Sequence, residues 1–106
     1  MKIQASFINK YEGRHGISIT TYTPKGFYGK VYKELAPPKW LFNTINSSNN
    51  YELCAQLYRQ YVLDKLDPYK VLEDIGPNAV LLCIERKNRF HHNYEVIKWL
   101  KEKLQK

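Results

Sequence analysis

A continuous apolar run at 79–84 (Ala-Val-Leu-Leu-Cys-Ile) is the clearest pattern in the chain. Gly76-Pro77 precedes it and a polar stretch follows. A short run without alternation predicts a strand buried on both faces, the signature of a central parallel strand. From position 92 the apolar positions change to helical spacing. Val96, Leu100 and Leu104, with Ile97 and Trp99, predict the core face of a closing helix over His92–Leu104.

A second helical pattern covers 51–66. Cys54, Leu57, Tyr58, Tyr61 and Lys65 lie on one stripe, with Leu53 and Val62 at its edges. Asn49 or Asn50 can cap its start, and 44–50 read as a polar connection. Asp67-Pro68 stops this helix and begins a short one, with Asp67 as N-cap and Pro68 at the first helical position; Gly76-Pro77 ends it. Toward the N-terminus, 2–7 alternate weakly as a first strand, 11–16 form a turn-rich connection, and 16–21 read as a short β-branched strand. Between 22 and 33, the breakers Pro24, Gly26 and Gly29 predict an irregular binding loop, and Ala36-Pro37-Pro38 stops any helix there. The order predicts one α/β domain over 1–106, with helices packed on a small, mainly parallel sheet.

Charge sharpens the picture. Of 106 residues, 17 are Lys or Arg and 10 are Asp or Glu, a formal net charge of +7. Such a surface attracts nucleotides, nucleic acid or acidic proteins. The cysteines, Cys54 and Cys83, sit in apolar segments, which points to reduced thiols and a cytoplasmic setting. There is no run of membrane-spanning length and no signal-peptide pattern, so no membrane partner is expected.

Chemistry concentrates at the end of the 79–84 run. Cys83 and Glu85 share one face of the strand by alternation. A basic loop holding Arg89 follows, then His91, His92 and Tyr94 open the helix. Ligands of parallel sheets bind outside the carboxyl ends of strands, beside helix N-termini. The loop Pro24-Lys25-Gly26-Phe27-Tyr28-Gly29-Lys30, with Tyr32 beyond it, offers glycines for close backbone approach, lysines for phosphate and aromatics for stacking. It lacks the spacing of a Walker loop. Adjacent histidines project about 100 degrees apart on a helix, and Cys83, Glu85 and His92 match no standard zinc spacing, so neither metal nor cofactor is expected.

These segments also carry a resemblance. With Ile17-Ser18-Ile19, Thr23 to Phe27, Gly29-Lys30, Tyr32, Leu35-Ala36-Pro37 and Asp67 to Leu72, the strand and helix start resemble the small bacterial and phage family known as domain of unknown function 488. That family has a strand ending in Cys-x-Glu, then Cys-His-Arg at a helix start. Cys83, Glu85 and His92 match; His91 and Asn93 stand where the family has its second Cys and its Arg. The resemblance implies an α/β fold and a site, not a reaction.

The expectation drawn is a small protein that holds an anionic, nucleotide-like ligand in one pocket. That pocket would be made by Pro24, Lys25, Gly26, Phe27, Tyr28, Lys30 and Tyr32 together with Cys83, Glu85, Arg89, His91, His92 and Tyr94. Loss of the family's second Cys and Arg argues against thiol chemistry. A Lys-, Asn-, Tyr- and Ile-rich composition suits an AT-rich phage genome, and hence a sponge for a host nucleotide signal. The alternatives are an enzyme using Cys83, Glu85 and His92 and a basic nucleic-acid module.

Overall fold

The structure, a computed structural model, describes residues 2–84 and 89–104. Strand β1 (Gln4–Phe7) and strand β2 (Gly16–Ser18) are joined by the connection 8–15. A two-residue strand, β3 (Lys30–Val31), comes next. Helices α1 (Lys39–Ser47), α2 (Tyr51–Tyr61) and α3 (Pro68–Ile75) lead to β4 (Val80–Cys83), and α4 (His92–Leu104) follows. All four strands are parallel, in the order β1-β4-β2-β3. This is the expected α/β class with a small parallel sheet.

β4 is central and fully buried, as its apolar run predicts. Its side chains alternate between faces. Leu81 and Cys83 join Ile17 and Ile19 in the main core, to which all four helices contribute: Leu41 and Ile45, Cys54 and Tyr58, Val71 and Ile75, and Val96, Trp99 and Leu100. Leu82 points the other way and is also buried. Over it lie loop residues near Tyr11 and Gly16.

The caps explain the helix starts. Asn50 accepts from the Leu53 backbone N–H, and Asp67 from that of Tyr69, with Pro68 following at the start of α3. Gly76 closes α3 at φ +88°, a left-handed conformation that favours glycine. α4 has the predicted bounds, and Val96 and Leu100 are fully buried while Leu104 is only partly so.

Other expectations need correction. Ala36-Pro37-Pro38 does act as a stop, for a 3-10 turn at Lys33–Leu35 ends before it, but a helix not expected from the sequence begins directly after it. Pro38 stands at the N-cap of α1, where its missing N–H costs nothing, and α1 absorbs 44–47 of the supposed polar connection. Burial of Leu41 and Ile45, four positions apart, holds it down. The 22–33 segment is not wholly irregular, since β3 pairs with β2 through Ile17 and Ser18. The helix expected over 51–66 breaks at Val62 (φ −122°, ψ −67°) and continues as a single 3-10 turn, Leu63–Lys65. That break turns Val62 and Leu63 inward and leaves Tyr61 and Lys65 exposed. No helix among the described residues is long and apolar enough to cross a membrane.

Candidate functional site

The end of β4 and the start of α4 form a buried polar cluster. Cys83 is the last residue of β4, and His92 and Asn93 are the first two of α4. The imidazole Nε2 of His92 lies 2.6 Å from the carbonyl oxygen of Ile19. A carbonyl can only accept, so Nε2 carries the proton and Nδ1 is bare. The Cys83 sulfur lies 3.5 Å from Nδ1 and 3.7 Å from Nε2. It is nearly equidistant from both nitrogens, which is not the in-line geometry of an efficient thiol-to-base proton transfer. The Tyr58 ring meets the imidazole edge-on at 5.2 Å, and its hydroxyl donates to the Leu35 carbonyl.

Burial sets the charge state of this pair. Desolvation pushes the Cys83 thiol up to about 12, against a weaker opposing pull from the Asn93 backbone N–H. Desolvation lowers His92 to about 4, again against a smaller opposing effect, the hydrogen bond to Ile19. Both groups are therefore neutral near pH 7. Thiolate–imidazolium chemistry needs the reverse shifts. Asn93 is fully buried, and its amide donates to the carbonyls of Ser6 (3.0 Å) and Leu81 (3.1 Å), tying β1 to β4.

A cavity of about 40 Å³ touches Cys83, His91 and His92, with Thr20, Pro37 and Phe42 among its other walls. That is room for roughly one to a few waters. A nucleotide does not fit there.

The 23–32 loop builds a different place. Pro24, Lys25, Gly26 and Phe27 form a turn in which the Phe27 N–H donates to the Pro24 carbonyl, with Gly26 at φ +91°. This is a type II arrangement, which demands positive φ at its third residue and presents Lys25 at its tip. Lys25, Phe27 and Tyr28 then line a hollow of about 410 Å³ over Leu82, together with Tyr11 and Arg14. Two close approaches shape it. A Cβ on Gly16 would lie 2.7 Å from a Leu82 methyl and 3.0 Å from the Tyr11 ring. One on Gly29 would meet the Phe27 ring at 2.5 Å and the Gly16 carbonyl oxygen at 3.1 Å. Bare backbone at these positions lets both rings come against the chain. The Tyr11 hydroxyl accepts from the His15 N–H and braces the 11–16 loop.

The expected single pocket is thus divided among several places. Pro24, Lys25, Gly26, Phe27 and Tyr28 line the hollow over Leu82. Cys83, His91 and His92 line the small cavity on the helix side of the sheet. Lys30 donates to the Asp74 carbonyl, and Tyr32 donates to the Asp74 carboxylate at 2.7 Å. Together they pin β3 and its following turn to α3, and burial with that hydrogen bond raises the Tyr32 phenol well above its usual range. Arg89 donates to Asn49 at 3.0 Å. Tyr94 is half exposed, its ring 6.4 Å from that of His91. Glu85 lies outside the described residues.

Sequence reasoning missed Tyr11 and Arg14, which were read as part of a turn. The available signal was an aromatic and a cation set among Gly13 and Gly16. Among the described residues, no three His, Cys, Asp or Glu side chains gather as a metal site. The chain matches no family model, no curated protein and no solved structure.

Proposed function

We propose that this protein binds, without turning over, a small anionic ligand of the nucleotide class in the hollow over Leu82. The observation that carries this reading is the composition of the wall: Arg14 and Lys25, three aromatic rings and, among the described residues, no carboxylate. Among the described residues neither Arg14 nor Lys25 has an ion-pair partner. Unpaired cations meet phosphate, and Tyr28, almost fully exposed, offers a face to a base. The volume, about 410 Å³, lies in the range of small-ligand pockets.

The neutral, shut-in Cys83–His92 pair supports holding over chemistry. A sponge for a host nucleotide signal, as a phage would use, has the same requirement: a charged cradle and no working nucleophile. Membership of the domain 488 family rests on the quoted motifs and belongs to this proposal.

The test is mass spectrometry of small molecules released by heat from the purified protein, followed by calorimetric titration. Arg14→Ala and Lys25→Ala should each weaken binding of the released nucleotide about tenfold, the scale of a lost charged hydrogen bond, with Tm unchanged. Unchanged affinity in both variants would remove the site. A product formed from the ligand by the wild type and absent with Cys83→Ser would favour the enzyme reading. A steep salt dependence with polymer only would favour the nucleic-acid reading.

A further inference from the structure

A second hollow, of about 320 Å³, shares Arg14 and Gly16 with the hollow over Leu82 as a common wall. It runs past His15, Lys30 and Ala79 to Pro77 and Asn78 at the entrance to β4. Among the described residues its wall also holds no carboxylate. The Asp74 side chain nearby is already taken up by the Tyr32 hydroxyl and the Lys70 ammonium. The two hollows differ in kind. One is rich in aromatic rings. The other offers an amide, an imidazole and a lysine.

We propose that the ligand is a dinucleotide, two nucleosides joined through phosphate, laid across Arg14. This rests on the nucleotide reading of the first hollow and goes beyond it. The planar guanidinium on the shared ridge suits the linking phosphate, which it can grip with paired N–H donors. One base stacks among Tyr11, Phe27 and Tyr28. The other lies beside Asn78, whose amide can both donate and accept, matching the N6/N7 edge of an adenine. Lys25, in the wall of the first hollow, faces a further phosphate, while Lys30, in the wall of the second, is held on the Asp74 carbonyl. A mononucleotide fills only one hollow and leaves the other to water.

Calorimetry with AMP, with linear 5′-pApA, with cyclic di-AMP and with a 20-nucleotide oligoadenylate tests this. The expected result is that linear or cyclic dinucleotide binds at least tenfold more tightly than AMP, and the better of the two names the linkage. Asn78→Ala and His15→Ala should each lower dinucleotide affinity toward that of AMP. Equal affinity for AMP and both dinucleotides, unmoved by Asn78→Ala, would overturn the inference and leave the nucleotide reading standing. Binding of none of the four probes would overturn both. Oligoadenylate binding far above either dinucleotide would overturn the inference in favour of a polymer groove.

Discussion

The His92 imidazole donates from Nε2 to the Ile19 carbonyl at 2.6 Å, joining the start of α4 to the chain just beyond β2. The donor is neutral because burial lowers its pKa to about 4, from an ordinary 6.5. A group whose folded pKa is depressed resists protonation that the unfolded chain accepts. Stability from this site is complete above about pH 6.5 and is lost as pH falls toward 4, below which the loss levels off. The loss should reach about 3 kcal/mol. Urea unfolding at a series of pH values checks it. His92→Gln keeps a donor but cannot titrate, and its stability should be flatter than wild type across that window.

The Cys83 thiol should be inert in the folded state. It is 3% exposed and held protonated to about pH 12. Peptide mapping after iodoacetamide treatment at pH 8 should show little label at Cys83 in buffer and full label in urea. Rapid native labelling would mean that the thiol is open and ionised, and would revive it as a nucleophile.

Asn93→Ala should destabilise by about 2–4 kcal/mol, because the carbonyls of Ser6 and Leu81 lose their shared donor inside the protein. Asn93→Asp should be at least as harmful, since one amide nitrogen becomes an acceptor facing acceptors. Denaturant midpoints of the two variants decide the matter. A cost below 0.5 kcal/mol, on the scale of ordinary surface changes, would mean that water replaces the clamp.

The glycines of the hollow should fail for different reasons. Gly26→Ala meets no neighbour within 4 Å, so its cost of about 1 kcal/mol comes from the positive φ alone. Gly16→Ala keeps a permitted backbone but drives a methyl into Leu82 and Tyr11, costing about 1–3 kcal/mol. Trimming Leu82 to Ala in the Gly16→Ala background should recover part of the second loss and none of the first. A double-mutant cycle measures this coupling.

Leu100→Ala tests the core face read from α4. Leu100 is fully buried, so about 2–5 kcal/mol should be lost. A much smaller loss would show that the face yields to the cavity.

What could be read in advance followed from how local each signal was. β4, α4 and the Asp67-Pro68 cap were legible because a run, a spacing and a dipeptide carry them. α1 was hidden because Pro37 and Pro38 read as stops, although proline suits a helix start. β3 was hidden because two exposed residues have no hydrophobic pattern. The site suffered from parity. Leu82 and Cys83 are neighbours in sequence yet face opposite sides of the sheet, and only the fold shows that the glycine loop covers one side and the histidines the other. The clamp formed by Asn93 was equally unreadable, because its carbonyl partners lie on two different strands, one of them at the other end of the chain.

The strand order has a consequence for how the chain is made. β1 and β2 flank β4 and never pair with each other, so Gln4 must wait for Val80 and Gly16 for the same residue. A ribosome releasing the first three helices therefore delivers β1 without a partner and β2 paired only with the two-residue β3, its other edge open. Loop closure over such separations is slow, and exposed edges invite pairing with other chains. The last strand to emerge is the first that can organise the rest, and the nascent chain is most exposed to aggregation just before it appears.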